Sequence, residues 1–473
     1  MNKSYNMVLA TMCLALLMPS ALNAKPRTLQ QKMQAATAAF SKGQLSKMMK
    51  AKKAPMKQLK AADDYTVFGY DNGGFAIIAN DDLVPAVLGY SESSFDDKAG
   101  NESFKWWLNA VSEVVKKNVE EGKTIARTTK PTDGNFPEAV PMLLTTQWGQ
   151  EAPFNNLCPI ATDGSGRCLT GCAATSTAQV FYYHKGPKNG MGSQTIYYPY
   201  GMTSGVAISV DFEKSIYDWT NMIDVYDKGY STQEADAVAM LMRDLGVAAD
   251  MDYGSAAQGG SGTLHETLAR GLQRYYGLTD VKYLEREDYT EQGWMNVVYD
   301  QLSRNLPIVY GGFTKQREGH SFVLDGYDAE GLVHVNWGWN GDQNGYYDIA
   351  ILDPIGYEFT QMQEAVINIE PTSAISRISG EVSVTKPGTL RSLLEEESFF
   401  HYEGLKVNGD INATDIRTIR EMAGVDENGG RTRGRLQKLD LSNTNILAGS
   451  DYYLIDKGNK LTIKADNTLP DKL

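Results

Sequence analysis

The chain has 473 residues, 42% hydrophobic and 22% charged, with a formal net charge of -13. That length is room for about three domains, and the apolar fraction is high enough to bury a core. A net acidic chain without a basic footprint argues against nucleic-acid binding.

Lys3, the apolar run from Met7 to Met18 and the small residue at Ala24 predict a secretory signal over 1–24, removed after Ala24. The run is too short to cross a bilayer, and no later stretch approaches about 18 continuous apolar residues. The mature chain is therefore expected to be soluble, without a transmembrane segment, outside the cell or at a bacterial cell surface. Residues 25 to about 60 are polar and carry Lys42, Lys47, Lys50, Lys52, Lys53, Lys57 and Lys60. They read as a solvated helix or a flexible arm.

Thr66-Val67-Phe68 and Phe75-Ala76-Ile77-Ile78 flank Asp71-Asn72-Gly73-Gly74, a hairpin signal. Phe104, Trp107, Leu108, Val111, Val114 and Val115 then recur at helical spacing. A small α+β unit thus precedes the main domain, and Thr128 to Asn135 is a linker of turn formers. From Phe136 to about Pro371, helical patterns come first and alternating strands second (Ile308-Val309-Tyr310, Ser321 to Leu324, Leu332 to Val335). That order predicts an α+β domain of two lobes with a cleft between them. After Pro371, the stretch Leu436 to Ile446 nearly fits one leucine-rich repeat, with Thr444 where Asn or Cys is usual. Residues 372–473 are therefore expected to be a short repeat-like segment.

Of four cysteines, Cys13 leaves with the signal, and Cys158, Cys168 and Cys172 remain. An odd count in an exported chain implies a free thiol. A Cys158–Cys168 bridge is the one pairing that spares Cys172. Thr170-Gly171-Cys172-Ala173-Ala174-Thr175 reads as a loop entering a helix that lasts to about His184, with Thr170 as a possible cap. Cys172 then sits in the first turn, where free N–H groups favour a thiolate.

A thiol nucleophile needs a base. His184 is twelve residues along the same helix, roughly 18 Å away. His401 lies in the tail, and His265 follows a Gly/Ser-rich loop of weak context. His320 and His334 remain. A hairpin centred near Asp328 would set His320 opposite Asn336, give or take one residue, so Asn336 could orient the imidazole. His334, between two valines, reads as packed. Oxyanion donors would be the Cys172 N–H and a side-chain amide, Gln147 or Gln150.

The blocks Thr170 to Thr175, Asp250-Met251-Asp252-Tyr253-Gly254, Gly319-His320-Ser321-Phe322-Val323 and His334 to Trp339 resemble the streptopain and interpain family of papain-like cysteine peptidases. The likeness spans roughly Phe136 to Pro371. The Tyr65 to Val119 unit resembles that family's inhibitory propeptide. The resemblance implies a secreted endopeptidase made as a zymogen, with 25–135 as propeptide and 136–371 as a papain-like domain. It implies Cys172 as nucleophile, His320 as base, Gln150 as oxyanion donor, and Asn336 and Trp337 as orienting and shielding residues. The substrate-binding set is Asp252, Tyr253, Gly254, Ser255, Gly319 and Trp339, and no cofactor or metal is called for. Protein substrates and the chain's own propeptide are the implied partners, with host or surface proteins for the tail. Two departures stand out: Asp353 to Glu358 has little Gly where streptopain carries a Gly-rich loop, and Cys158 and Cys168 are extra. An amidase or transglutaminase using the same Cys, His and Asn, or an adhesion protein with a vestigial peptidase lobe, are the competing readings.

Overall fold

The computed structural model describes residues 25–41, 55–71, 73–96, 98, 100–125, 136–313, 319–350, 363–371, 378–394 and 399–470. The predicted signal, the lysines from Lys42 to Lys53, the linker from Thr128 to Asn135 and the loop from Asp353 to Glu358 lie outside the described residues. Among the described residues, no helix is long and apolar enough to cross a membrane.

The N-terminal unit begins with helix α1 (Leu29–Phe40), closed by a reciprocal Thr28/Gln31 capping box. Four antiparallel strands follow: β1 (Lys57–Ala61), β2 (Tyr65–Gly69), β3 (Phe75–Ala79) and β4 (Val87–Ser91). The expected hairpin is present, with Gly69 facing Phe75. Helix α2 (Glu102–Glu121) has the Asn101 side chain as its N-cap and Gly122 in the left-handed region at its end. It coincides with the predicted periodic stretch.

Of the two readings of this stretch, a helix is present, but it is docked rather than fully solvated, and the flexible arm is corrected. Helix α1 buries Ala36, Ala39 and Phe40, with the Phe40 ring 5.5 Å from that of Tyr70. Lys57 to Ala61 is a strand rather than an arm. The reason is that a stripe of small residues at helical spacing can lie flat on a sheet, which a count of large apolar residues does not register.

In the main domain, the helical lobe carries α3 (Cys172–His184), the hairpin β5 (Ser193–Tyr198) and β6 (Val206–Asp211), α4 (Thr232–Ala248) and α5 (His265–Tyr276). The sheet lobe carries β7 (Lys282–Glu285), α6 (Glu291–Ser303), β8 (Ile308–Phe313), β9 (Gly319–Tyr327), β10 (Val333–Asn336), β11 (Gly345–Tyr347) and β12 (Glu364–Ile367). These strands and the four of the N-terminal unit form one ten-stranded sheet, in the order β1-β2-β3-β4-β11-β10-β9-β8-β12-β7. The join is the antiparallel pair β4 and β11, with Tyr90 opposite Tyr346 and Gly89 opposite Tyr347.

The two faces of β8 and β9 serve different cores, because successive side chains point to opposite sides. Val309 and Val323 pack with the helical lobe. Tyr310, Phe322 and Leu324 pack with α2 residues Phe104, Trp106 and Trp107. The N-terminal unit therefore shares a hydrophobic core with the sheet lobe.

The tail has its own core, built on parallel strands β13 (Ile378–Val384), β14 (Tyr402–Ile411) and β15 (Lys438–Ile446). Helices α7 (Leu390–Leu393) and α8 (Ala413–Met422) and the hairpin of β16 (Tyr452–Asp456) and β17 (Asn459–Thr462) complete it. Gly380 faces Leu405, whereas Leu405 faces Leu439. The two chain steps are unequal, so the fixed period that defines a repeat array is not seen among the described residues.

Candidate active site

Gly171 is the N-cap of α3, at φ 89, so Cys172 opens the helix as expected. A Cβ on Gly171 would come within 2.6 Å of Met251 Sδ, so this turn needs glycine twice over. Thr170 is not the cap; its hydroxyl bonds that of Thr175 at 2.8 Å. Cys172 is partly accessible and lines a cleft of about 760 Å³. Burial nevertheless pushes its thiol up, against the opposing pull of the backbone N–H groups of Ser321 and Ala173.

The opposite wall of the cleft carries Gly319, His320 and Ser321 at the start of β9. Its rim comes from Asp252, Tyr253, Gly254 and the turn from Gln258 to Thr263. Ser255, expected on this wall, is buried behind it. Its hydroxyl donates to Asp163 at 2.5 Å and accepts from the Gln258 N–H at 3.2 Å, so it holds the turn rather than lining the cleft. Trp339 likewise lies against the N-terminal unit, its indole donating to the Ser103 hydroxyl at 3.2 Å.

Gln150 is tied to the loop before α3 by its carbonyl, which accepts from Thr170 N–H at 3.2 Å. Gln147 instead donates its N–H to the Asp224 carbonyl at 2.8 Å. Of the two, Gln150 is the one whose backbone bonds the loop that leads into Cys172.

Asn336 faces Val323, three residues beyond His320, so the expected pairing is corrected. Strand β9 runs on to Tyr327, and Asp328 closes a tighter turn by accepting from the N–H groups of Glu330 and Leu332. The hairpin is therefore centred near Glu330, and a bulge between His334 and Val335 shifts the register again. The Asn336 amide donates to the Thr146 carbonyl at 2.8 Å and to Gln179 Oε1 at 3.0 Å. Trp337 is fully buried, donating to the Gln343 carbonyl at 3.0 Å, with its ring 6.0 Å from Phe104 and 6.4 Å from Trp107 of α2. Helix α2 covers it in this arrangement, and its ring also lies 4.8 Å from that of Phe322 on β9.

His334 is packed, as expected: its Nδ1 lies 2.5 Å from Asp325 Oδ1, and its ring meets Tyr346 edge-on. Both members are buried. Removing His334 would leave the buried Asp325 oxygen without this hydrogen-bond partner, at a cost of about 1–3 kcal/mol. His334→Ala is therefore expected to lower the unfolding midpoint markedly in a thermal melt, and an unchanged midpoint would contradict this assignment.

Two residues of α2 in the N-terminal unit reach the site. Glu102 lines the cleft. Trp106 lies over Gly312, where a Cβ would come within 2.7 Å of its ring, and its centroid is 6.4 Å from that of His320 and 6.1 Å from Phe322. Neither was singled out from the sequence, since a helical apolar stripe looks the same whether it faces its own core or another unit's base. His265 was set aside on local context, yet it also lines the cleft.

The expected Cys158–Cys168 bridge is not formed; both are buried free thiols. Burial pushes Cys158 up to about 12, with Cys168 adding to the rise, while the Tyr253 hydroxyl contacts its sulfur. Alkylation of the native processed protein near pH 8 is expected to modify Cys172 alone, and unreduced, denatured protein should take up three labels. A linked 158–168 fragment in non-reducing peptide mapping would contradict this.

Residues 148–347 match the Peptidase C10 family, and 20–115 match a Spi protease inhibitor domain. Streptopain of Streptococcus pyogenes is 30% identical over 331 residues, covering 64% of this chain and 80% of that one. The thiol protease/hemagglutinin PrtT of Porphyromonas gingivalis is 30% identical over 323 residues, covering 64% of this chain and 36% of its own. A solved fragment of Prevotella intermedia prointerpain A is 47% identical at a TM-score of 0.62, covering 66% of this chain and 97% of the fragment.

Proposed function

The chain belongs to the Peptidase C10 family, and from that premise we propose that Cys172 is its nucleophile and His320 its general base and acid. It is a cysteine peptidase with an inhibitory propeptide domain, consistent with a zymogen. The observation that carries the residue assignment is that one cleft is lined by a thiol at a helix start in one lobe and by an imidazole at a strand start in the other.

In the reaction, His320 takes the Cys172 thiol proton as the sulfur attacks the scissile carbonyl, so that a C–S bond forms while the C=O π pair moves onto oxygen as the oxyanion. His320 delivers a proton to the leaving amine as the C–N bond breaks. It then takes a proton from water, whose oxygen displaces the sulfur and releases the acid. The oxyanion meets the Cys172 N–H and the Gln150 side-chain amide. Asn336 supports the frame through Gln179 of α3, bridging the helix of the nucleophile to the sheet of the base. His320→Ala is expected to equal Cys172→Ala in its loss of activity, and the double variant to lose nothing further, because groups acting as a unit are non-additive. A large additional loss in the double variant would overturn the assignment.

The propeptide, within 25–135, inhibits in cis by continuing the sheet through β4 and seating Trp106 beside His320. Cleavage in the stretch from Arg127 to Asn135 would release it, after export directed by the 1–24 signal. N-terminal sequencing of active enzyme tests this: a start near Phe136 is expected, and a start upstream of Tyr65 would refute it. The papain-like domain then runs 136–371, and protein or peptide chains are its substrates.

A further inference from the structure

The cleft holds a second chain of polar groups beside the proposed catalytic pair. Ser321 follows His320 on β9 and points to the opposite face of the sheet. Its hydroxyl is 2.9 Å from His265 Nε2, at the start of α5. On its other side, His265 Nδ1 is 2.9 Å from Glu364 Oε1 on β12, at ion-pair distance though not aligned as a hydrogen bond. Glu364 Oε2 accepts from the Tyr283 hydroxyl at 2.8 Å. Ser321, His265 and Glu364 are all buried, at 3%, 3% and 7% exposure. Polar groups that deep are retained when their partners satisfy them.

The fold makes a slot for this network. Gly311 on β8 is the register partner of Ser321. A Cβ there would come within 2.4 Å of His265 Cε1, so the imidazole lies against bare backbone. The order hydroxyl, imidazole, carboxylate matches that of a serine hydrolase. Ser321 is too buried to meet a substrate carbonyl, however, and its hydroxyl is engaged by His265. What Ser321 does offer the reaction is its main chain: it is covalently next to His320, and its N–H faces the Cys172 sulfur.

We propose that His265, braced by Glu364, is a positioning residue that anchors the start of β9 through the Ser321 hydroxyl, and so holds both His320 and the Ser321 N–H in register with Cys172. This rests on the reading of Cys172 as nucleophile. A buried imidazole held by an acid and bonded to a hydroxyl resists displacement along the strand. The terminus of β9 otherwise has β8 as its ladder partner, through Phe313 and Gly312.

The test uses the processed full-length enzyme and its His265→Ala, His265→Gln and Glu364→Gln variants, with Cys172→Ala alongside. Gln can place its amide nitrogen near Nε2 and keep the bond to Ser321. Two quantities are read: the pH dependence of Cys172 alkylation by iodoacetamide, and kcat and KM on a peptide substrate. Losing one hydrogen bond to a thiolate is expected to move the alkylation midpoint of His265→Ala up by about one unit. Its kcat should fall about tenfold or more with KM little changed, and Gln should restore most of both. Glu364→Gln should fall between His265→Gln and His265→Ala. A folded His265→Ala enzyme with the parent's alkylation profile and kcat would overturn the proposal, as would equal damage from Gln and Ala. If His265→Ala does not fold, the His265→Gln and Glu364→Gln profiles decide: midpoints and kcat shifted by less than the Ala expectation support it, and no shift in either refutes it. Activity surviving in Cys172→Ala would instead refute the underlying assignment, so the two failures are distinct.

Discussion

Cys172→Ala is expected to abolish peptide-bond hydrolysis, with a loss of about 10⁴-fold or more, since Cys172 is the one thiol lining the cleft among the described residues. The three cysteines that follow the predicted signal differ sharply in setting. Burial raises all three thiols, but Cys158 and Cys168 are buried whereas Cys172 is partly open to the cleft. The same variant should leave the precursor uncut if the enzyme processes itself. The fold should survive, because Cys172 adds no hydrogen bond on which α3 depends: the N-cap is Gly171, and the first-turn bond runs from Thr175 N–H to the Gly171 carbonyl at 3.0 Å. Casein cleavage by a folded Cys172→Ala enzyme would defeat the assignment. Labelling of the parent by an active-site-directed epoxide, absent in the variant, gives an independent readout.

Trp106→Ala should release latency. The ring is nearly buried, lies on Gly312 and meets both His320 and Phe322. Truncating a buried tryptophan costs about 3–5 kcal/mol. At about 1.4 kcal/mol per factor of ten, that shifts the closed-to-open balance of the propeptide by roughly 100-fold or more. The uncut Trp106→Ala precursor is therefore expected to react with an active-site epoxide about 100 times faster than the parent. Trp106→Phe should fall between them, because a smaller ring still covers part of the strand. The β4–β11 pairing remains in both variants, so the N-terminal unit should stay docked and the melt should retain a single folded species. An unchanged labelling rate in folded Trp106→Ala precursor would show that this ring does not restrain the site.

The elements with strong local signals were legible in the sequence. Helix α2 follows from a 3.6-residue apolar period, and β2 with β3 from alternation around a turn. Helix α3 follows from the small residues after Gly171-Cys172, and the exclusion of His184 from simple helix length. Each of these depends on neighbours within a dozen residues, where spacing alone sets which side chains meet. The packing of His334 was also readable, since a histidine between two valines in a strand has only a core to enter; its hydrogen bond with Asp325 was not.

What crosses between elements was decided by tertiary structure. The hairpin that carries His320 and Asn336 turned on the side chain of Asp328 and one bulge, and a register shift moves every partner at once. The docking of α1 was missed because alanines bury by fitting rather than by size. The single sheet joining the propeptide to the enzyme required β4 to find β11, some 250 residues away, through backbone hydrogen bonds that no side chain specifies. His265 looked idle in its Gly/Ser-rich surroundings because its partners, Ser321 and Glu364, are distant in the chain and meet only where β8, β9 and β12 lie side by side over a glycine. Sequence spacing determined which chemical groups this protein owns and which helix or strand presents them. The packing of its strands decided which of those groups face one another, because contacts between distant segments are set by shape and register, and neither is written in local composition.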